Sequence, residues 1–255
     1  MPTPATDRGD AAAAEEAAAG GARRRCVSCG ARVGALFVQY SPGNIRLMKC
    51  DECKAVADPY IECEFMIILI DLILHKEKAY RHLLFNMLNL ESGDIMGILQ
   101  KSCLIYILLD AFRISFLKSS KDDWDFSTSL PFAIWTCGKQ VLMNVLLGSF
   151  VFMFIIFLTT RFFLNLSLDM ARYKEVLLAI LISSYFKLFP ILMMIWEFPS
   201  SVLFIVEIFV LSSNTVALRV ATQSPIARCF GVCFVAHAMK FCTEYCLLHR
   251  LYGLY

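Results

Sequence analysis

Between Val141 and Thr160 twenty residues pass without a charge, and fifteen of them are apolar. Twenty residues of α-helix extend about 30 Å, the thickness of a bilayer's hydrocarbon core. Inside that core every backbone N–H and C=O needs an internal partner, so a crossing segment of this kind must be helical. The apolar surplus lies almost wholly after residue 60. Over the chain 58% of residues are hydrophobic and 18% charged, against about 45–50% and about 25% in a soluble domain. That balance argues against an ordinary soluble enzyme and against a disordered regulator. A net charge of +2 is too small for the electrostatic footprint of a nucleic-acid binder, so none is expected as a partner.

Further spans follow from the same arithmetic. Residues 176–196 include Lys187, which costs roughly 3 kcal/mol, while twelve Val, Leu, Ile and Phe residues supply roughly 5 kcal/mol. Pro190 is expected to kink this helix. Residues 202–221 carry Glu207 within and Arg219 near the end, and the five-residue link Glu197–Ser201 makes the two helices an antiparallel hairpin. Residues 95–117, with Lys101, Asp110 and Arg113, and residues 226–249, with Arg228, Lys240 and Glu244, are weaker candidates. Asp110 and Arg113 can pair at i, i+3. The expectation is three firm spans and up to five.

Charge inside a membrane marks function or fixes helix register. Lys187 and Glu207 sit at similar depth on adjacent helices. Two readings stand: an ion pair that sets register, or a lipid-headgroup site. His237 is read as a packed or interfacial histidine.

Ahead of the spans, Cys26-Val-Ser-Cys29 and Cys50-Asp-Glu-Cys53 form a C-x2-C-x20-C-x2-C pattern. Each C-x2-C turn brings two thiolates to one ion, and two turns complete a closed tetrahedron around a structural zinc. Gly30 gives one knuckle its freedom of φ. Residues 36–40 and 45–49 are β-prone and flank a Ser41-Pro42-Gly43-Asn44 turn, so a zinc ribbon with a small β-hairpin is expected. About thirty residues cannot build a core unaided, so the metal must supply folding energy. The rival readings are two disulfides or four unrelated buried cysteines. With eleven cysteines in all, full pairing within the chain is impossible, and a reducing, cytosolic setting is expected for the head.

Residues 1–25 read as a disordered Ala/Gly-rich tail, 26–60 as the ribbon, 61–94 as an amphipathic helical segment, and 95–250 as the transmembrane bundle. In the third part the apolar run 65–74 is too short to span and contains Asp71. Glu64, Asp71, His75, Lys78 and His82 fall on one face of a continuous helix, with Asn86 near it, which suits a helix lying in the membrane interface or one packed between ribbon and bundle. Asp71, His75 and His82 have spacing for part of a second metal site; a solvated polar stripe gives the same pattern. Lys76, Lys78 and Arg81 are placed to meet anionic headgroups. Arg23, Arg24 and Arg25 favour a cytosolic N-terminus, which leaves the sequon at Asn165 cytosolic under a five-span arrangement. No phosphate loop, nucleophile elbow or zinc-protease motif is present, and the chain is expected not to be an enzyme.

The head and the segment after it resemble the Arv family of endoplasmic-reticulum proteins. The resemblance rests on the two cysteine pairs, Gln39-Tyr-Ser-Pro-Gly-Asn-Ile-Arg46, Val56-Ala-Asp58 with Tyr60, Ile70 to Lys76, and Ala79-Tyr-Arg-His-Leu-Leu-Phe-Asn86. It implies a multi-pass endoplasmic-reticulum membrane protein acting in sterol transport and in sterol and sphingolipid homeostasis. Membrane lipids and sterols would be partners, with proteins of the sphingolipid or glycosylphosphatidylinositol-precursor pathways as further candidates. It also implies zinc on Cys26, Cys29, Cys50 and Cys53. Asp71, His75, Lys76, Tyr80, Arg81, His82, Asn86, Lys187 and Glu207 are the candidate lipid or interfacial contacts. An adaptor that recruits lipid enzymes, or a membrane acyltransferase using His237, are the alternatives.

Overall fold

The computed structural model describes residues 24–41, 44–88, 95–119, 130–164, 170–189, 191 and 201–252. Residues 1–23, the Asn165 sequon and the Pro190 kink lie outside them. The chain divides into two compact units, Met1–Ile95 and Met96–Tyr255.

In the first unit, β1 (Arg24–Arg25) pairs antiparallel with β2 (Arg32–Val33), so two residues placed by sequence in the tail already form a strand. The expected hairpin is β3 (Phe37–Ser41) with β4 (Asn44–Leu47), antiparallel with Phe37 opposite Leu47. A 3-10 turn, Pro59–Glu62, starts from Asp58, whose carboxylate accepts from the Tyr60 N–H at 3.0 Å. Then come α1 (Phe65–Ile73), α2 (Glu77–Arg81) and a π-helical turn, His82–Met87.

The single continuous helix expected after the ribbon is therefore corrected. α1 ends in a left-handed residue, His75 at φ 56°. The His75 N–H bonds Leu72 O at 3.0 Å and the Lys76 N–H bonds Asp71 O at 3.0 Å. These two bonds are those of a Schellman stop, a place where glycine is usual. With histidine there, the periodicity runs through unbroken in the sequence and the stop is invisible. Ile68, Leu72, Tyr80, Leu84 and Phe85 from these pieces are buried with Val27 and Ala57 of the ribbon.

The second unit contains α3 (Ile95–Ser119), α4 (Leu130–Leu164), α5 (Met170–Ser183), a 3-10 turn (Ser184–Leu188), α6 (Ser201–Thr222) and α7 (Ile226–Tyr252). α4 and α7 pack along each other, and α6 lies against both α5 and α7. Phe152, Ile156, Ile180, Leu218, Val232 and Cys233 share the core. Among the described residues four helical stretches are long and apolar enough to cross a membrane: Ile95–Ser115, Val141–Phe163, Val202–Thr222 and Ile226–Leu247. Phe150, Phe162, Phe204 and Phe241 stand on their outer surfaces, as lipid-facing side chains would.

The ranking of spans changes accordingly. The stretch 176–196 is not one long helix, because α5 gives way at Ser183 to the 3-10 turn. The hydroxyls of Ser183 and Ser184 both bond back to Ile180 O, at 3.0 and 2.9 Å, where the helix tightens. Both stretches that looked weak, 95–117 and 226–249, are long helices. Asp110 and Arg113 on the first and Lys240 and Glu244 on the second are paired, which a residue-by-residue hydropathy sum does not credit.

Candidate functional site

The four cysteines converge. Cys26 Sγ lies 3.7 Å from Cys53 Sγ and Cys29 Sγ 3.6 Å from Cys50 Sγ, with all four sulfurs within 4.8 Å of one another. A zinc tetrahedron with bonds of about 2.3 Å has sulfur–sulfur edges of about 3.8 Å, so the cluster fits the ion. A disulfide would need about 2.05 Å, so the two-disulfide reading does not apply here. Cys26 and Cys50 are buried, Cys29 and Cys53 exposed.

The two knuckles are built alike. The Gly30 N–H bonds Cys26 O at 2.8 Å, and the Lys54 N–H bonds Cys50 O at 2.9 Å. The Cys26 N–H bonds Ala31 O and the Cys50 N–H bonds Ala55 O, both at 2.8 Å. Both turns close through positive φ, 80° at Gly30 and 59° at Lys54. A bond from the Val27 N–H to Ala57 O at 2.9 Å ties one knuckle to the other. Desolvation raises the Cys26 thiol and pushes that of Cys29 up to about 12. The backbone N–H of Cys53 holds the Cys50 thiol down to about 7. Four ligands close the shell, so bound zinc would cross-link two hairpins and leave no open position for a reacting molecule.

The segment 77–87 grips the first knuckle. Arg81 donates through Nη1 to Val27 O at 2.9 Å and Ser28 O at 3.0 Å, and through Nη2 to Glu77 at 3.1 Å. Asp58, fully buried, accepts from Asn86 Nδ2 at 2.7 Å and faces His82 Nδ1 at 2.7 Å. The π-helical turn sets His82 and Asn86 side by side for this purpose, and places Phe85 under the Arg25 guanidinium at 4.3 Å. Asp71 accepts from Tyr60 Oη and from Lys76 Nζ, each at 2.7 Å. Tyr80, 1% exposed, donates to Leu72 O at 3.3 Å.

These contacts correct the expected polar stripe. His82 and Tyr80 are buried, and Arg81 and Asn86 are spent on the ribbon's backbone, so they brace the head instead of facing lipid. With His82 on Asp58, Asp71, His75 and His82 do not assemble a second metal site, and the four-cysteine group is the metal-type cluster among the described residues. The outward surface of α1 is apolar: Phe65, Met66, Ile67, Ile70 and Leu74 are each roughly half or more exposed. Asp58 carried no chemistry in the sequence reading; its place between Ala57 and Tyr60 in the resembling segment was the available signal.

In the second unit Lys187 and Glu207 do not form the isolated pair expected. Lys187 donates to Asp110 Oδ1 at 2.9 Å, and Lys240 donates to Asp110 Oδ2 at 2.6 Å and to Tyr106 Oη at 3.0 Å. Arg113 meets Asp110 at 3.2 Å, as i, i+3 spacing allows, and Glu207 at 3.2 Å. Through Nη2 it holds both oxygens of Glu244, at 2.9 and 2.7 Å. Three carboxylates and three cations thus compensate one another. Breaking one buried partner in such a group costs about 3–5 kcal/mol. Asp110, Arg113, Lys240 and Glu244 had counted against their helices in the sequence, when they are what joins them.

A sequence profile of the Arv1-like family matches residues 25–218. Protein ARV 2 of Arabidopsis thaliana is 50% identical over 222 residues, covering 87% of this chain and 94% of that one. Protein ARV 1 of the same plant is 48% identical over 217 residues, 85% of this chain and 86% of that one. Protein ARV1 of Homo sapiens is 32% identical over 211 residues, 77% of this chain and 71% of that one. No solved structure matches the chain significantly.

Proposed function

Because the chain belongs to the Arv1-like family, we propose that it is an endoplasmic-reticulum membrane protein that promotes intracellular sterol transport and sterol and sphingolipid homeostasis, without catalysing a reaction. Zinc on Cys26, Cys29, Cys50 and Cys53 supplies folding energy to a head that is too small to hold itself together. Arg81, Asn86 and Asp58 then fix α2 and the π turn to that head, and α1 is displayed with its apolar side outward.

The observation that carries this reading is the exposed row Phe65, Met66, Ile67, Ile70 and Leu74 on a helix tied to a metal-type knuckle. A half-exposed side chain of this size gains about 1 kcal/mol on entering the interface, so five of them support reversible docking on a leaflet. Lys76, with its side chain 53% exposed, stands at the end of α1 where a headgroup would be met. The head presses on the cytosolic leaflet while the helices of the second unit provide the path for the lipid.

Cells test it. Removing the protein should shift sterol from the plasma membrane to the endoplasmic reticulum, and the wild-type chain should restore the distribution where Cys26→Ser does not. Unchanged distribution in the deficient cells, or full rescue by Cys26→Ser, would reject the proposal.

A further inference from the structure

The charge network of the second unit has an edge that differs from its centre. Asp110 is fully buried and the Glu244 side chain 8% exposed, yet the Glu207 side chain is 30% exposed. Next to Glu207 on α6 stand Phe204 and Ile208, and beside His237 on α7 stands Phe234, all outward. Glu207 and His237 therefore mark the border between a charged interior and a lipid-facing surface.

The two side chains do not bond each other. His237 Nδ1 and Glu207 Oε2 are 3.9 Å apart, beyond hydrogen-bond distance. The other ring nitrogen, Nε2, lies 3.1 Å from Asn214 Nδ2, and Asn214 Oδ1 accepts from Ser183 Oγ at 2.6 Å. With its oxygen taken by Ser183, Asn214 turns its amide N–H to Nε2, so that nitrogen is an acceptor and Nδ1 carries the proton. Phe152, edge-on at 5.0 Å, holds the ring from a different side. A fixed N–H donor and a fixed carboxylate acceptor thus stand close enough that one oxygen atom, set to the side of the line joining them, reaches both at about 2.8 Å.

We propose that Glu207 and His237 form the polar subsite for a neutral lipid whose head is a single hydroxyl, the class that includes sterols and diacylglycerols. A hydroxyl donates to Glu207 and accepts from His237 at once. A phosphate would meet the Glu207 carboxylate, and an ammonium would meet Lys187, Lys240 and Arg113 behind it. An ester or ketone oxygen has no proton for Glu207. The three acids and three bases already balance, so the site calls for a ligand without charge. Ile208, next to Glu207 on α6, and Leu211, one turn along, line an open apolar cavity of about 390 Å³ with Thr215, Ala227 and Phe230. The hydrocarbon part of the ligand lies there.

This inference rests on the lipid-transport reading above, and its test is separate. Full-length protein in phosphatidylcholine nanodiscs is titrated with cholesterol, with cholesterol 3-methyl ether and with dioleoylglycerol. The wild type should bind cholesterol at least tenfold tighter than the ether. In His237→Phe, which keeps a ring against Phe152, that ratio should fall to about one while the thermal transition is retained. If dioleoylglycerol binds and cholesterol does not, the subsite stands with a glyceride as its ligand. Equal binding of alcohol and ether by the wild type, no binding of any of the three, or an unchanged ratio in His237→Phe would overturn the assignment. A subsite that passes this test in a protein whose loss leaves cellular sterol undisturbed would sink the transport reading alone.

Discussion

Asn86 holds Arg25 by both of its backbone groups: the Arg25 N–H donates to Asn86 Oδ1 at 3.0 Å, and Asn86 Nδ2 donates to Arg25 O at 2.9 Å. The side-chain amide acts as a strand neighbour would, one residue before the first metal-type cysteine. Asn86→Ala removes both bonds and takes a donor from buried Asp58. The expected loss is about 1–3 kcal/mol, read as a lower thermal midpoint and as faster transfer of zinc to a chelator. Arg81→Met should act in the same direction by freeing Val27 O and Ser28 O.

The metal stoichiometry separates four cysteines from a fifth. Purified wild-type protein should carry one zinc per chain by elemental analysis. Cys26→Ser and Cys50→Ser should each lose it. Cys63, whose thiol lies 3.4 Å from Pro59 O and takes no part in the cluster, should be replaceable by Ser with the zinc retained.

The knuckles predict opposite signs for two glycine exchanges. Gly30→Ala places a Cβ at φ 80° and should cost about 1–2 kcal/mol. Lys54→Gly relieves a side chain at φ 59° and should stabilise, by up to about 1 kcal/mol. Thermal midpoints of the zinc-loaded proteins, compared with wild type, give both signs.

Asp71 predicts a pH dependence. The ammonium of Lys76, followed by the Tyr60 hydroxyl, holds its carboxyl below the ordinary carboxylate value, while burial and the Asp71 carboxylate raise Tyr60. For a depressed carboxyl the stabilisation is present above the unfolded value of about 3.9 and lost as pH falls through the folded one. For a raised tyrosine it is present below about 10 and lost as pH rises further. Carbon-13 titration of Asp71 should give a midpoint under the unfolded value. Lys76→Met should raise it more than Tyr60→Phe; no change in either variant would contradict the assignment.

Much of this was legible in the sequence, and what was not had physical causes. The doubled C-x2-C pattern carries its own geometry, so the sulfur cluster and the hairpin between Phe37 and Leu47 could be read directly. The stop at His75 could not, because its positive φ is fixed by two backbone bonds and not by a glycine. The network around Asp110 was hidden by distance along the chain: Lys187 lies 77 residues away and Lys240 130. Hydropathy charges each of these residues separately for burial and has no means of seeing that they neutralise one another. The run from Val141 to Thr160, without a charge, was plain.

The bundle offers a steric check on that network. A Cβ on Gly148 would lie 3.2 Å from Glu244 Oε1 and 3.3 Å from its Cγ. Gly148→Ala should therefore shift Glu244 against Arg113 by a few tenths of an ångström and lower the thermal midpoint in detergent, and Asp110→Ala, which takes the carboxylate from Lys187 and leaves Lys240 with Glu244 at 3.7 Å, should lower it further. Equal midpoints for Gly148→Ala and wild type would mean that Glu244 gives way freely.

The central claim is tested most directly with purified protein in liposomes. Transfer of a fluorescent sterol from donor to acceptor vesicles should be several-fold faster with the full-length chain than without it. It should return to the protein-free rate when Cys26, Cys29, Cys50 and Cys53 are all replaced by Ser. A wild-type rate no faster than vesicles alone would contradict the account.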